Sequence, residues 1–299
     1  MTDNMRGALL MIASMASFTL NDTFVKLLLQ EVPFSQVLVI RGIFALVVIS
    51  ALTWRLGAFR LSVTKHDWKM LALRAVAETG AAYFFLTALA NMPIANITAL
   101  LQLLPLTVTL GAAMFLGQSV GWRRLLAIAI GFIGMLLIVK PAGADFNQFT
   151  IYGLISVLCV TARDLATRAM SSAVPSMFIT WSTSVAVLAF FVVFSTQEDW
   201  ITLSTRQTLW LAGCSISICF GYLLSVLVMR KGDIAFVTPF RYTGLLWALI
   251  AGWFIFGDWP DALTLIGAVI IVGMGLFTMM REAQLKLQSR KKRGIPLRS

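Results

Sequence analysis

Two stretches of the chain, SMASFTLNDTFVKLLLQEVP at residues 14–33 and SVLCVTARDLATRAMSSAVP at residues 156–175, share one pattern. Each contains an aspartate, a cation four residues later and a proline seven residues after the cation, and the two copies lie 142 residues apart. Further along the chain, a shift of 140 residues places Ile94-Ala95 on Ile234-Ala235. The nearly constant shift predicts that the chain consists of two copies of one unit.

The composition predicts that these copies lie in a membrane. Of 299 residues, 59% are hydrophobic and 12% are charged, whereas a soluble domain has about a quarter charged residues. About 20 apolar residues are needed to cross a bilayer as a helix. Apolar runs between Gly, Pro and charged residues predict ten such helices, at 7–29, 35–54, 68–90, 95–117, 122–140, 150–171, 176–195, 207–229, 234–256 and 262–280.

Ten helices in two copies give five helices to each copy, so the second copy begins on the opposite side of the membrane. The sequence thus predicts two inverted five-helix repeats, residues 1–145 and 146–281, followed by a basic cytoplasmic tail at 282–299. Such inverted repeats are typical of secondary transporters, whose solute sites lie between the repeats.

The distribution of charge predicts the orientation. The net charge is +11, and 17 of the 24 Lys and Arg residues fall in segments on the amino-terminal side: Arg6, Arg55, Arg60, Lys65, Lys69, Arg123, Arg124, Arg168, Arg230, Lys231 and seven residues from Arg281 to Arg298. The other side holds Glu31, Asp145, Glu198, Asp199, Asp258 and Asp261. The positive-inside rule therefore predicts that both termini are cytoplasmic, in an inner membrane, and the charge pattern argues against nucleic-acid binding.

Several other functional classes receive little support. The three cysteines lie in apolar stretches, so we expect no disulfide, no metal site and no cofactor. The sole histidine, His66, stands beside Asp67 and is the best support for a membrane enzyme, yet neighbours in sequence seldom form a catalytic pair. A channel remains an alternative, although channels more often build a pore from several subunits.

The chain resembles the EamA-type transporters of the drug/metabolite transporter superfamily over essentially its whole length. The resemblance rests on Lys26 after Asp22, Pro33, Arg41-Gly42, Arg74, the segment ALANMPIA at 88–95, Pro105-Leu106, Leu116-Gly117 and Gly257-Asp258. The chain departs from the family where Gln118 and Asp258 replace a common glutamate. The resemblance implies a central cavity lined mainly by helices 1, 3, 4, 6, 8 and 9, and substrates that include amino acids, riboflavin and nucleotide-linked sugars.

Ionisable residues inside the predicted helices are costly in a bilayer, so they should face protein or a water-filled cavity. Six cations and three carboxylates belong to this set: Asp22, Lys26, Arg41, Arg74, Glu78, Arg163, Asp164, Arg168 and Arg241. Asp22 with Lys26, Arg74 with Glu78, and Asp164 with Arg168 are four residues apart, which puts each pair on one helical face. We expect Asp22, Lys26, Asp164 and Arg168 to form ion pairs that act either as gates or as structural contacts.

The excess of cations predicts a solute with a carboxylate. Arg241 and Arg163 lack a free carboxylate one turn away, and a guanidinium binds a carboxylate or phosphate through two hydrogen bonds. The alternative is that they bind backbone carbonyls or lipid phosphate. Further candidates for substrate binding, chosen from the helices that line the cavity in the family, are Glu78, Arg74, Tyr83, Gln102, Tyr222, Tyr242, Trp247 and Asn21.

We therefore predict a carrier of an amino acid or organic acid, with riboflavin, a nucleoside or another uncharged or aromatic metabolite as the alternative. Membrane lipid is the other expected partner. Protons are a candidate coupling ion, with Glu78 as the carboxylate that binds them. Pro105 and Pro239 interrupt the backbone hydrogen bonding of helices 4 and 9, where they form either hinges or static kinks.

Overall fold

The computed structural model describes residues 3–59, 63–117, 121–140, 147–171, 173–231 and 237–292, and no strand occurs among them. They form ten helices: α1 Asp3–Leu28, α2 Phe34–Arg55, α3 Lys65–Asn91, α4 Ile94–Leu116, α5 Trp122–Val139, α6 Gln148–Ala169, α7 Ser176–Phe194, α8 Thr205–Lys231, α9 Pro239–Phe256 and α10 Ala262–Lys292. Predictions that involve Arg60, Gln118, Asp145, Arg293 and Arg298 fall outside the described residues.

The helices are those of a multi-pass membrane protein. Eight of the helices in the described part are long and apolar enough to cross a bilayer. The other two are α3, which carries Arg74 and Glu78, and α5, whose apolar stretch Leu125–Val139 is shorter. α10 continues to Lys292, so the tail predicted to begin at residue 282 begins as helix.

The ends of the helices repeat between the two halves of the chain. Pro33 precedes α2 and Pro175 precedes α7, because proline fixes φ near the helical value and needs no donor partner at a helix start. Gly117 caps the end of α4 and Gly257 caps the end of α9, with φ of 63° and 69°. Only glycine adopts this left-handed conformation at no steric cost, which accounts for the Leu116-Gly117 and Phe256-Gly257 pairs.

Regular α-helical bonding is interrupted in α4 and α9, the two helices in which the sequence predicts an interruption by proline. α4 consists of two segments, Ile94–Leu101 and Leu104–Leu116, and Pro105 lies in the first turn of the second segment. α9 begins with a 3-10 turn, Thr238–Tyr242, that contains Pro239, and it ends with a π-helical turn, Gly252–Phe256. The prolines therefore lie where regular α-helical bonding is interrupted.

The helices of one half pack mainly against those of the other. α1 packs against α8 and α3 against α6, while α2 contacts α7, α4 contacts α9 and α5 contacts α10. The rings of Phe18 and Phe24 lie so close to Gly221 and Gly213 that a Cβ at either glycine would be under 3.0 Å away. Gly134 and Gly267 bring α5 and α10 into backbone contact, since a Cβ at Gly267 would lie 2.5 Å from the Gly134 carbonyl oxygen.

The connections between helices form two faces. On the amino-terminal face, the α2–α3 loop meets the α6–α7 loop, where the Ser171 N–H donates to Asp67 Oδ1 at 2.8 Å. On the opposite face, Glu198 Oε2 accepts from Ser35 N at 2.8 Å and from Ser35 Oγ at 2.7 Å. On the same face, Lys140 forms an ion pair with Asp261. This ion pair and a hydrogen bond from the Thr264 N–H lower the pKa of Asp261 to about 2.

Candidate functional site

Charged side chains from five helices meet in the middle of the bundle. We define the central cluster as Asp22 of α1, Arg41 of α2, Arg74 and Glu78 of α3, Arg163 and Asp164 of α6, and Arg241 of α9. It contains four cations and three carboxylates, so its formal excess is one positive charge. The excess of three expected from the sequence is too high because Lys26 and Arg168 lie elsewhere.

Glu78 connects two arginines from different helices. Its Oε1 is 3.3 Å from Arg163 Nη1, and its Oε2 is 3.7 Å from Arg74 Nη2. Arg74 also donates to Thr167 Oγ1 at 2.6 Å, and Arg163 Nε donates to Asp164 Oδ1 at 2.9 Å. α3 and α6 are thus joined by a continuous polar network, and Arg163 is paired rather than free.

A second polar group forms where α1, α2 and α8 meet. Asn21 is almost fully buried, and its Nδ2 donates to Asp22 Oδ1 at 2.9 Å. Its Oδ1 accepts from Arg41 Nη1 at 3.3 Å and from the Cys214 thiol at 3.2 Å. These contacts occupy the Asn21 amide, so Asn21 orients the charged groups beside it.

Arg241 differs from the other arginines of the cluster. Its side chain is exposed although it comes from the first turn of α9, and Asp164 and Arg163 lie within electrostatic range of it. No hydrogen bond or ion pair joins Arg241 to another described residue. Because the guanidinium is both reachable by water and unpaired, it has donors available for a solute anion.

Two of the three pairs expected from the i, i+4 spacing do not form. Lys26 is buried and donates to the Met92 carbonyl, with Nζ 5.0 Å from the Phe256 ring centroid. Arg168 is exposed and makes no contact with Asp164, which binds Arg163 instead. Only Arg74 and Glu78 pair as the spacing predicts.

The aromatic candidates occupy different places. Tyr222 lies within electrostatic range of Arg41, Glu78 and Arg163, so it borders the central cluster. Tyr83 packs edge-on against Phe34 and Phe194 at 5.8 and 6.2 Å between ring centroids. These contacts place Tyr83 in an aromatic cluster toward the opposite face.

The remaining substrate-binding candidates, Tyr242, Gln102 and Trp247, lie in three different environments. The Tyr242 hydroxyl packs directly on Gly275 of α10. Gln102 lies at the break in α4 and is half-buried. Trp247 has a buried indole N–H that has no acceptor among the described residues.

Two polar neighbours of the cluster were not predicted. Thr167 and Cys214 are small residues whose sequence context is helical and apolar. Cys214 follows Arg74 by 140 residues, the shift that aligns the later parts of the two repeats. The repeat therefore contained a signal for Cys214, because it marks the position in α8 that corresponds to Arg74 in α3.

His66 and Asp67 form no hydrogen bond with each other, and both contact the chain around the end of α6. The Asp67 carboxylate accepts from the Ser171 N–H and from the Thr64 hydroxyl and N–H in a capping box. These hydrogen bonds hold the pKa of Asp67 below its ordinary value. The His66 ring nitrogen Nε2 lies 3.2 Å from the Ala169 carbonyl oxygen. Both residues hold the α2–α3 and α6–α7 loops together.

The chain is similar to several transporters of known name. It is 30% identical over 203 residues to the S-adenosylmethionine uptake transporter of Rickettsia felis, a match that spans 67% of each chain. It is 27% identical to the riboflavin transporter of Vibrio cholerae over 97% of each chain. It is 26% identical to the pseudopaline exporter of Pseudomonas aeruginosa, over 89% of this chain and 93% of the exporter.

Comparisons of structure and of family agree on the fold. One crystal structure superposes with a TM-score of 0.60 at 16% identity, covering 91% of this chain and 98% of the other. The model of the EamA-like transporter family matches residues 5–140 and, a second time, residues 149–280. The chain therefore belongs to the EamA-like transporter family.

Proposed function

We propose that the protein is a secondary transporter that moves a small carboxylate-bearing or zwitterionic metabolite, of amino-acid or organic-acid type, across the inner membrane by alternating access. The observation that carries this proposal is the exposed guanidinium of Arg241, which pairs with none of the described residues and lies beside a cluster with one surplus positive charge. A carboxylate matches both the geometry and the charge of that group. The carboxylates of the cluster, Asp164 above all, offer a partner for an ammonium group.

The relatives are compatible with this class of solute. S-adenosylmethionine, which names the Rickettsia felis transporter, carries both a carboxylate and an ammonium group. The N–H of Arg74 Nε is buried without an acceptor among the described residues. A buried donor without a partner is costly, so it favours an acceptor in this part of the bundle. Arg163, Glu78, Arg74 and Tyr222 are proposed as the surrounding contacts.

We also propose that the two halves are inverted repeats, residues 1–145 and 146–281, with both termini in the cytoplasm. Three observations support the duplication: the family model matches twice, the caps Pro33 and Pro175 correspond, and the packing of α1 on α8 mirrors that of α6 on α3. Because each half has an odd number of helices, the second half must be inserted in the opposite orientation to the first.

Lys26 and Arg168 are the proposed gates, and they differ in this structure. Lys26 is buried and ties α1 to the α3–α4 junction and to the end of α9 on the opposite face. Arg168, its counterpart 142 residues later, is exposed at the amino-terminal face. This asymmetry supports a conformation that is closed on the opposite face and open on the amino-terminal face. In the alternate conformation Arg168 would make the equivalent contact.

An uncharged aromatic solute is the second candidate. The similarity to the riboflavin transporter extends over 97% of the chain, and the buried N–H of Trp247 lacks an acceptor among the described residues. A flavin or nucleobase would provide acceptor atoms and a ring to stack. It would not explain why Arg241 has no partner among the described residues, which is why we rank it second.

Transport into proteoliposomes tests the proposal. Radiolabelled amino acids, organic acids, S-adenosylmethionine and riboflavin are offered to the wild type and to Arg241→Ala, Arg241→Lys and Arg55→Ala. Arg55, an exposed residue at the end of α2, is the control. Loss of a charge-assisted pair of hydrogen bonds corresponds to about 1.5–3 kcal/mol, so we expect about a 10- to 100-fold lower apparent affinity in both Arg241 variants and no change in Arg55→Ala.

Other outcomes would separate the alternatives. Normal transport of a carboxylate by well-folded Arg241→Ala would remove Arg241 from the site. Transport of riboflavin alone, unaffected by Arg241→Ala, would establish the second candidate. If protons couple transport through Glu78, Glu78→Gln should abolish stimulation by a pH gradient while exchange of solute continues.

A further inference from the structure

A groove separate from the central cluster lies between α5 and α10, where these helices reach the amino-terminal face. Its volume is about 510 Å³. The end nearest the face is lined by Trp122, Arg123, Arg281 and Gln284. Toward the middle of the bundle the lining becomes apolar, with Leu126, Ile130, Met274 and Phe277.

The polar end of the groove has the chemistry of an anion site. Arg123 lies over the Trp122 ring at 5.5 Å from the centroid, and Arg281 donates to Gln284 Oε1 at 3.3 Å. Within the described part of the chain, no carboxylate forms an ion pair with either arginine. Two guanidiniums from neighbouring helices thus face the same end of the groove, and neither has a charged partner in the described part of the chain.

The first turn of α5 adds to this positive potential. α5 starts at Trp122, and its N-cap residue, Gly121, has no side chain to accept from the free N–H groups of the first turn. Such N–H groups and the helix dipole favour a phosphate or carboxylate. Arg123 belongs to the same turn, so the donors of the helix end and of the side chain converge on one place.

The apolar end sets the class of ligand. Leu126 and Phe277 are about half exposed, at 53% and 42%, and face the outside of the bundle. Arg281 lies 19 residues after the start of α10, or about 29 Å at 1.5 Å per residue, which is the depth of a hydrocarbon core. A ligand that contacts both ends therefore has its charge at the headgroup level and its chain along the bilayer.

We propose that this groove binds an anionic phospholipid of the leaflet on the amino-terminal face. The phosphate lies between Arg123 and Arg281 at the start of α5, and one acyl chain follows Leu126, Ile130 and Phe277. Trp122, which is 70% exposed, lies at the level where indoles meet headgroups. Basic pockets between transmembrane helices are a common place for anionic headgroups. The site is independent of the solute proposed above.

Native mass spectrometry of the purified full chain tests this proposal with phosphatidylglycerol and phosphatidylcholine of identical acyl chains. The wild type should retain phosphatidylglycerol in preference to phosphatidylcholine, and its melting temperature should rise with phosphatidylglycerol. In the double variant Arg123→Gln/Arg281→Gln, the preference for phosphatidylglycerol over phosphatidylcholine should fall at least about tenfold. Arg55→Gln, which removes an arginine beside Trp54 on the same face, should keep it.

The remaining outcomes contradict the proposal. Equal retention of the two lipids by the wild type, or an unchanged preference in the double variant, would exclude the site. Equal stabilisation by inorganic phosphate would show an anion site that requires no lipid. A dimer that dissociates in the double variant while lipid retention is unchanged would assign the groove to a second copy of the chain. Size-exclusion chromatography of each variant checks that it is folded.

Discussion

Asp67 is a single residue that holds two loops. Its carboxylate accepts from the Thr64 side chain within its own helix start and from the Ser171 N–H of the α6–α7 loop. Its side chain is almost completely buried, with 1% exposure. Because these hydrogen bonds favour the charged carboxylate, they lower its pKa in the folded protein relative to the ordinary value of 3.8.

This arrangement predicts how stability depends on pH. A carboxylate with a lowered folded pKa stabilises the fold at pH values above its unfolded pKa, and this contribution is lost as the pH falls through the folded pKa. Asp67→Asn should therefore melt at a lower temperature than the wild type at pH 7, and the difference should narrow as the pH falls below about 4. Asp199→Asn, in an exposed loop, is the control. A difference that is constant from pH 7 to pH 3 would contradict this assignment.

At this scale the sequence predicted residue types better than partners. The i, i+4 spacing correctly paired Arg74 with Glu78, because both lie on one helix and share a face. It failed for Lys26, whose partner is the Met92 carbonyl, and for Asp164, whose partner is the adjacent Arg163. Spacing along a helix shows which side chains can meet, but the neighbouring helices decide which contacts form.

Among the elements, the ends of α1, α3 and α9 meet on the opposite face through one side chain. Lys26 donates to Met92 at the α3–α4 junction and lies over the ring of Phe256, with Asp258 within electrostatic range. Removal of the cation takes away a charge-assisted hydrogen bond and a cation–π contact. The contact should therefore stabilise the conformation that is closed on this face.

Accessibility of Cys214 measures this effect in a Cys159→Ser/Cys219→Ser background. A membrane-impermeant maleimide applied to the opposite face should label Cys214 about tenfold more in Lys26→Met, since losing one such contact costs about 1.5 kcal/mol or more. Arg55→Met, which removes an exposed cation on the amino-terminal face that takes no part in the proposed gates, should leave this labelling unchanged. Equal labelling in the Lys26→Met variant and its parent would show that Lys26 is not a gate.

The elements themselves were predicted to within a few residues, except at the end of α10, which continues to Lys292, and where the backbone departs from α-helix. Hydropathy found all ten helices, but it treated α4 and α9 as continuous. Pro105 and Pro239 marked the right places, and yet the form of each interruption depends on packing that is not local. α3 was assigned as a helix despite Arg74 and Glu78, because the rest of its length is apolar.

For the whole molecule, the central question is whether the two halves are inverted. If all ten helices among the described residues cross the membrane, Asp3 and Lys292 lie on one face, and 17 of the 24 cations were assigned to that face from the sequence. The positive-inside rule then predicts that this face is cytoplasmic.

Reporter fusions test the orientation. Green fluorescent protein fused after Ser299 should fluoresce, since it matures in the cytoplasm, and alkaline phosphatase fused after Gln197 should be active outside. Alkaline phosphatase fused after Ser299 should be inactive, and green fluorescent protein fused after Gln197 should not fluoresce. Active phosphatase at Ser299 would reverse the orientation and move the Arg123 and Arg281 groove to the outer leaflet.

The duplication was visible in the sequence, because Asp22, Lys26 and Pro33 have counterparts at a fixed shift. The residue types of the central cluster could not be predicted from the duplication, because the two halves of the chain contribute chemically different residues to it. Asn21 corresponds to Arg163, and Cys214 corresponds to Arg74. Each of these two pairs is thus neutral in one half and cationic in the other, and a symmetric pattern cannot predict such a difference.

If the protein works by the proposed alternating access, the surplus charge of the central cluster would also make its transport cycle sensitive to voltage. With every group in its ordinary ionised form, the cluster has four cations and three carboxylates. A charge that moves through the full membrane field changes in energy by about 2.3 kcal/mol per 100 mV. A monoanionic solute would cancel the surplus charge. The loaded protein would then change conformation without moving net charge through the membrane field, whereas the empty protein would move one positive charge. A zwitterion would leave the charge in place in both directions, and its transport would move no net charge over a complete exchange cycle.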